Sequence, residues 1–173
     1  MKSLAISLAL LVATTGAAVP MPSGNLVEPA DDAYVAMKRL KTKAAELGSP
    51  GVKGEDGVAG RAVPDLYFGE IKMNGDFSFM DGVQAEQGGI AALFVKSGVA
   101  FVLVTTNVKE ADGSRSVGAI LDPWGEAMSA IAKGYAYSGE ADILGRTYAT
   151  RYEPIRDANK DVVGIYYVAY PKN

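Results

Sequence analysis

The chain has 173 residues, enough for one domain, with 17 Lys and Arg against 20 Asp and Glu and a formal net charge of -3. It contains neither cysteine nor histidine. This excludes disulfides, zinc–thiolate, haem and iron–sulfur sites of the usual kinds, and nucleophilic dyads or triads built on histidine. Its mild acidity, with scattered lysines and arginines, also argues against nucleic-acid binding.

Residues 1–18 have the pattern of a secretory signal peptide. Lys2 gives a short positive region, residues 4–13 are apolar, and small residues offer a cleavage site near Ala18. The apolar run is shorter than the about 20 residues that span a bilayer. We therefore expect a soluble, periplasmic or secreted protein with no membrane span after cleavage. An uncleaved anchor helix is the alternative.

Residues 19–27 contain two prolines and a glycine and are predicted to form a linker. An amphipathic helix is predicted over residues 28–47, ending at Gly48 and Pro50. The apolar residues at helical spacing are Tyr34, Met37, Leu40, Ala44 and Leu47.

Glycine occupies every third position from Gly48 to Gly60, which is a collagen-like phrase. So few triplets cannot hold three chains together by themselves. We therefore predict a flexible, glycine-rich loop over residues 48–64, with a trimerising stub as the alternative.

A short extended piece is predicted over residues 65–71, and Asp76 can cap a helix that runs to about Gln87. Residues 90–96 and 99–108 are predicted to be two strands joined by a turn at Ser97 and Gly98. Strict alternation in the second strand separates Phe101, Leu103 and Thr105 from Val102, Val104 and Thr106.

Asp122 and Pro123 predict the start of a third helix, with Asp122 as its N-cap. Three strands are predicted to follow, and a turn over residues 157–160 joins the last two as a hairpin; they cover residues 141–144, 146–155 and 162–170. Short turns favour antiparallel pairing. The sequence therefore predicts an α+β domain built on one sheet of about five strands.

Three phrases between residues 66 and 157 carry a family resemblance. The first is LYFG at 66–69 followed by NGDF at 74–77, and the second is DGSRSVGAILDP at 112–123. The third is LGRTY at 144–148, which leads into YEPIRD at 152–157. Together they resemble Cache domains, the extracytoplasmic PAS-like sensor modules of bacteria, and in particular the group called Cache 3/Cache 2 fusion.

The resemblance implies a PAS-like, five-stranded antiparallel sheet flanked by a long N-terminal helix and short helices. It also implies a small ligand between one face of the sheet and a long loop. Residues 28–173 are thus expected to form a single Cache domain. Family members usually sit between two membrane helices of a chemoreceptor or kinase, whereas the last predicted strand here reaches almost to Asn173. We expect the protein to present its complex to a membrane receptor or sensor partner, or simply to bind.

Arg115 lies in the loop that the resemblance places over the ligand. A guanidinium offers a planar fork that matches a carboxylate, so Arg115 is the predicted anchor for a small organic anion such as a carboxylate. A solvent-exposed turn residue is the alternative. The resemblance also places Trp124, at the start of the next helix, over the pocket.

Tyr148 and Thr150 share one face of a strand that borders the pocket in such modules, and hydroxyl groups there are predicted to orient the ligand. Arg151 falls on the opposite face unless a bulge turns it. Tyr135 and Tyr137 are predicted to lie at the edge of the pocket. Core packing or surface exposure is the alternative for these aromatic side chains.

No paired carboxylates stand out for acid–base chemistry. Asp157, Asn159 and Asp161 begin like a calcium loop, but Val162 and Val168 replace the glycine and glutamate that such a loop needs. We expect no metal, no cofactor and no catalysis. The predicted function is that of a secreted or periplasmic protein that binds a small molecule as a sensor does. A protein-interaction module of the same fold without a ligand, or an uncharacterised enzyme, are the alternatives.

Overall fold

The structure is a computed structural model that describes residues 32–143 and 145–172. The predicted signal peptide, the linker and the first residues of the predicted N-terminal helix lie outside this part. The elements are, in order, α1 (Asp32–Leu47), β1 (Pro50–Val58), β2 (Arg61–Phe68), β3 (Ile71–Lys72), α2 (Phe77–Gln87), β4 (Ile90–Ser97), β5 (Ala100–Thr106), α3 (Glu126–Ala132), β6 (Tyr137–Ile143), β7 (Arg146–Arg156) and β8 (Val162–Pro171).

Five of the strands form one antiparallel sheet in the order β5-β4-β8-β7-β6. The prediction of an α+β, PAS-like fold on a five-stranded antiparallel sheet is confirmed. The predicted hairpin near the end of the chain is also confirmed, since β7 pairs with β8 in a register that sets Thr150 opposite Ala169. Because β8 then pairs with β4, the last strand of the chain lies in the middle of the sheet.

The two faces of this sheet are covered by different elements. One face, here called the α1 face, packs against α1, α2 and the strands β1 to β3, and its core includes Leu93 and Val168. The opposite face, here called the cavity face, carries Phe94 and Tyr167 and packs in part against α3. The central strands β4 and β8 are apolar on both faces because both faces are covered.

The α1 helix ends where the sequence predicts. Its buried residues form one stripe along the helix, as helical spacing requires: Ala33, Ala36, Met37, Leu40 and Ala44. Met37 and Leu40 are almost completely buried against the sheet. Within the described residues, no helix is both long and apolar enough to cross a membrane.

The prediction of a loop over residues 48–64 is wrong. The segment forms β1 and the start of β2, which pair as an antiparallel hairpin, and β3 extends this second sheet. The glycines serve the hairpin: Gly54 lies at an irregularity in the ladder with φ of 71°, and Gly60 lies at the turn with φ of 79°. Buried Leu66 and Phe68 attach the hairpin to the core. The frequent glycines obscure the alternation of apolar and polar residues that indicates a strand.

A register irregularity in β5 overturns the strict alternation predicted there. Leu93 pairs with Thr105, but the next residue of β4, Phe94, pairs with Leu103. The extra residue in β5 moves Thr106 to the cavity face, opposite Ala92, and leaves Thr105 on the α1 face.

The third helix begins later than predicted. Residues 122–125 form a turn in which Asp122 Oδ1 accepts a hydrogen bond from the Trp124 backbone nitrogen at 3.0 Å. Gly125 occupies the N-cap position of α3, so Asp122 caps a turn rather than the helix. The following strand, β6, starts at Tyr137 and is longer than the predicted strand.

Candidate functional site

A cavity of about 710 Å³ opens between the cavity face of the five-stranded sheet and the segment that follows β5. Its walls come from α2, β4, β5, β8, the segment 107–117 (here the covering segment) and the adjoining ends of β6 and β7. The lining residues are Gln84, Ile90, Ala92, Phe94, Leu103, Thr106, Asn107, Val108, Lys109, Glu110, Ala111, Ser116, Ile143, Arg146, Tyr148 and Tyr167.

The floor of the cavity is buried and mostly apolar. Ala92 and Phe94 come from β4, Leu103 from β5 and Tyr167 from β8, and each of them is at least nine-tenths buried. Ala92 and Phe94 share one face because residues two apart on a strand point the same way. Leu103 and Tyr167 lie on the same face because Leu103 pairs with Phe94 and Tyr167 pairs with Ala92. Such a floor favours the apolar part of a small ligand.

The start of the covering segment is fixed to β4 by side-chain hydrogen bonds. The Asn107 amide donates to the Gly89 carbonyl at 2.9 Å and accepts from the Ala91 backbone nitrogen at 3.1 Å. The Thr106 hydroxyl donates to the Ala91 carbonyl at 3.1 Å. Both polar side chains are therefore satisfied by the backbone, and they shape the cavity wall.

Arg115, the predicted anchor for the ligand, lies outside the cavity lining. Its two terminal nitrogens donate to the Asp81 carboxylate at 2.8 and 2.5 Å, and one also donates to the Thr106 carbonyl at 3.3 Å. The guanidinium carbon lies 5.1 Å from the centre of the Phe77 ring. Arg115 thus ties the covering segment to α2, and its hydrogen bonds hold the pKa of Asp81 below the usual value.

The charged groups of the lining are Lys109, Glu110 and Arg146, which come from the covering segment and from the start of β7. Lys109 and Arg146 are exposed, and Glu110 is half-buried, so these three residues form the rim. None of them makes a salt bridge within residues 32–143 and 145–172. Sequence reasoning missed both cations: Lys109 lies in none of the quoted phrases, and Arg146 lies in the LGRTY phrase but was not assigned to the site.

Tyr148 is the predicted site residue that does line the cavity, where it is half-buried on β7. Tyr167, which is not among the predicted site residues, lines the cavity as well and is 2% exposed. Burial raises the pKa of Tyr167 well above its ordinary value. Alternation with Ile165 and Ala169 on β8 was the signal that could have placed Tyr167 on this face.

The other predicted residues of this face lie beside the cavity. Thr150 is buried but does not line it. Tyr137 donates a hydrogen bond to Glu126 at 2.9 Å, and burial together with this carboxylate raises the pKa of Tyr137 to about 12. Tyr135, predicted at the edge of the pocket, is 68% exposed, and Trp124, predicted to lie over it, is 93% exposed. Neither lines the cavity.

Arg151 lies on the opposite face of the sheet, as strict alternation predicts. Its Nε donates to Glu153 at 2.7 Å, one terminal nitrogen donates to Ser138 at 2.8 Å, and its guanidinium covers the Tyr34 ring of α1. Burial pushes the pKa of Glu153 up, but hydrogen bonds from Lys41 and Arg151 outweigh it and lower the pKa overall. Arg151 therefore helps to hold α1 on the sheet, away from the cavity.

The cavity combines a buried apolar floor, two phenols and a rim with two cations and one carboxylate, which can hold a small molecule with an anionic end. No cluster of three or more carboxylates in the described part of the chain is arranged to hold a metal ion.

The sequence and the fold were compared with known proteins. A model of the Cache 3/Cache 2 fusion domain matches residues 49–173. A solved structure titled "Methyl-accepting Chemotaxis protein X" is similar at 13% identity and a TM-score of 0.44, covering 81% of this chain and 55% of that one. The sensory domain of the Campylobacter jejuni chemoreceptor Tlp3 (CcmL) is similar at 10% identity and a TM-score of 0.38, covering 57% and 41%.

The chain therefore spans about half the length of these two solved structures, or less. Comparison with curated proteins gave no match.

Proposed function

The chain belongs to the Cache 3/Cache 2 fusion domain family, and we propose on that premise that it is an extracytoplasmic, sensor-type protein that binds a small organic anion in the cavity under the covering segment. The observation that carries the proposal is the cavity itself. Its volume of about 710 Å³ lies within the roughly 300–1,000 Å³ typical of small-molecule sites.

The charge of the rim supports an anionic ligand. Lys109 and Arg146 line the cavity, and neither makes a salt bridge in the part of the chain that the structure describes. A carboxylate at the rim could pair with either cation, and hydrogen bonds to charged groups are among the stronger ones. Glu110 disfavours additional negative charge beside them, which favours a ligand with one anionic end.

A ligand screen tests the proposal directly. The purified protein is screened by thermal shift against small carboxylates, and hits are measured by calorimetry. We expect Lys109→Gln and Arg146→Gln each to weaken a carboxylate hit by about tenfold or more, because each removes a charge-assisted contact. Lys96→Gln is the matched control, since Lys96 is exposed at the far end of β4 and does not line the cavity.

A blocking variant separates binding in the cavity from binding elsewhere. Ala92 is 2% exposed and lines the floor, so Ala92→Leu fills space that a ligand would occupy. Saturable binding that survives Ala92→Leu would place the ligand outside the cavity and contradict the proposal.

A protein-interaction module without a ligand is the second candidate. The observation that favours it is the exposed indole of Trp124, with 93% of its surface in solvent, because exposed tryptophan is common at the centre of protein interfaces. Absence of any small-molecule hit, combined with a receptor ectodomain that binds the parent but not Trp124→Ala, would favour this function.

A further inference from the structure

We infer that the ligand is an amphipathic monocarboxylate, with its carboxylate at the rim and an apolar chain, at least as long as that of hexanoate, directed toward the sheet. This inference rests on the proposed function, because it concerns the same cavity. It adds the chemical class of the ligand, since it disfavours short acids such as acetate and acids with a charge at both ends such as adipate.

The cavity is much larger than a short acid. Its volume of about 710 Å³ equals that of about 24 water molecules in the liquid, at about 30 Å³ each. Acetate would fill only a small part of this space and would leave water against apolar side chains. Displacing that water from apolar surface is favourable, so a longer chain gains affinity that acetate does not.

Apolar side chains that keep accessible surface line the cavity from several elements. Ile90 comes from the start of β4, Val108 from the covering segment and Tyr148 from the start of β7, and each of them is half-buried. Leu103 on β5 and Ile143 at the end of β6 keep 7% and 8% of their surface accessible. A chain that enters from the rim therefore contacts apolar surface without displacing the packed residues beneath it.

The polar side chains on the sheet side of the cavity offer little to a polar ligand. The Thr106 hydroxyl and the Asn107 side chain are already bonded to backbone groups of Gly89 and Ala91. The Tyr167 hydroxyl oxygen is fully buried, so Tyr167 presents only ring atoms to the cavity. A hydroxyl or charged group of the ligand would lose its hydrogen bonds to water there without replacement, which costs free energy.

The position of the charges fits one carboxylate rather than two. Among the described residues that line the cavity, cations occur only at the rim, where Lys109 and Arg146 are exposed. No charged residue of this lining comes from β4, β5 or β8. A second carboxylate at the far end of the ligand would thus lie against apolar side chains and away from both cations. The ligand therefore has one charged end.

The test measures the affinity of the parent protein for acetate, butyrate, hexanoate and adipate by calorimetry. A fully buried methylene increases affinity by about fourfold, and in a cavity that is open to solvent we expect about two- to fourfold for each methylene. Hexanoate is thus expected to bind at least about tenfold more tightly than acetate. Adipate is expected to bind at least about tenfold more weakly than hexanoate, because its second carboxylate is desolvated without a partner.

Two results of this series would overturn the inference while leaving the proposed function intact. One is an affinity for acetate as high as that for hexanoate, and the other is an affinity for adipate as high as that for hexanoate. In either case an anion would bind in the cavity, but the apolar side chains of the lining would not select it.

Val108→Thr and Val99→Thr are the matched variants. Val108→Thr keeps the shape of the side chain but places a hydroxyl on the cavity wall, so it is expected to reduce the ratio of the hexanoate affinity to the acetate affinity by about threefold or more. Val99 is 88% exposed in the turn between β4 and β5 and does not line the cavity, so Val99→Thr is expected to keep this ratio. Ile90→Thr is a second wall variant with the same expectation as Val108→Thr. A ratio that is unchanged in both wall variants would contradict the inference.

Hexanol separates this inference from the proposed function, because it carries the apolar chain without the charge. It is expected to bind at least about tenfold more weakly than hexanoate, since it lacks the charge-assisted contact at the rim. Hexanol that binds as tightly as hexanoate would contradict the proposed function, and with it the carboxylate, while the dependence on chain length would stand. Failure of every carboxylate to bind would overturn the proposed function and this inference together.

Discussion

The guanidinium of Arg115 is occupied in the folded chain by a carboxylate that is 34 positions away in sequence. This pairing changes the role that is expected of Arg115. From the sequence, Arg115 in a loop is a free cation suited to an anionic ligand. In the structure it is a positioning residue, because the bond to Asp81 fixes the covering segment to α2 and thereby sets one wall of the cavity.

Amide hydrogen exchange can measure this role. Arg115→Ala and Asp81→Ala are each expected to raise exchange severalfold in residues 107–117, and the double variant is expected to add little, because both changes break the same contact. The pair of Lys53 and Glu70 is the control, since both side chains are more than half exposed and their pairing is weak. If Arg115→Ala leaves exchange unchanged and weakens anion binding alone, Arg115 is the ligand anchor that the sequence predicts.

Asp81 gives the same contact a dependence on pH. Hydrogen bonds from Arg115 hold the pKa of Asp81 below its usual value of 3.8 in the folded state. A group with a lowered pKa contributes stability that is complete above its unfolded-state pKa and is lost as the pH falls through its folded-state pKa. We therefore expect Asp81→Asn to lower the urea midpoint at neutral pH, with the gap to the parent closing below about pH 4. A gap that stays constant down to about pH 2 would contradict this assignment.

At the scale of elements, close backbone contacts explain several glycines that a sequence pattern treats as loop markers. The end of α1 meets the turn between β2 and β3 so closely that a Cβ on Gly69 would lie 2.3 Å from the Leu47 carbonyl oxygen. Gly69 also has a φ of 58°, in the left-handed region. The three-stranded sheet is thus joined to α1 by a contact that needs glycine.

Gly69→Ala and Gly51→Ala separate this contact from the general effect of replacing glycine. Gly69→Ala is expected to cost about 2 kcal/mol or more, because strain at positive φ adds to a backbone clash. A Cβ on Gly51 meets nothing within 4 Å, so Gly51→Ala is expected to be neutral or stabilising by up to about 1 kcal/mol. Equal effects of the two substitutions on the free energy of unfolding in urea would mean that the close contact at Gly69 does not contribute to stability.

Prediction from sequence succeeds for elements whose pattern is local. The sequence shows directly the apolar runs of β4 and β8 and the capping residue Asp76 at the start of α2. In the structure, Asp76 Oδ1 accepts hydrogen bonds from the backbone nitrogens of Ser78 and Phe79. Prediction from sequence fails where contacts between residues distant in the sequence determine the structure. The β1–β2 hairpin depends on burial of Leu66 and Phe68 by other elements, and the side chain of Thr106 reaches the cavity only because of an irregularity in pairing.

At the scale of the whole molecule, the two faces of the five-stranded sheet are divided by how completely they are packed. The α1 face is filled by helices and strands, whereas the cavity face leaves room for a ligand. This division explains why the fold could be predicted better than the site. A sheet with a covered face follows from apolar strands, but Lys109, Arg146 and Tyr167 meet only after every strand is in place.

Neighbouring residues of β4 test this division. Leu93 is completely buried on the α1 face, and Leu93→Ala is expected to cost about 2–5 kcal/mol of unfolding free energy. Ala92 points the other way, into the cavity, so Ala92→Val is expected to cost less than about 1.5 kcal/mol and to weaken binding. A loss for Ala92→Val as large as that for Leu93→Ala would show that the cavity face is packed as tightly as the α1 face.

The turn before α3 decides what an optical experiment on this protein can detect. Trp124 is the single tryptophan of the sequence, and 93% of its surface is in solvent. An indole in water emits at long wavelength whether the chain is folded or unfolded, so its emission maximum is expected to move little on denaturation. Iodide is expected to quench most of the emission in the native state. The buried phenols of Tyr152 and Tyr167 are the chromophores that change surroundings, and near-ultraviolet circular dichroism would follow them.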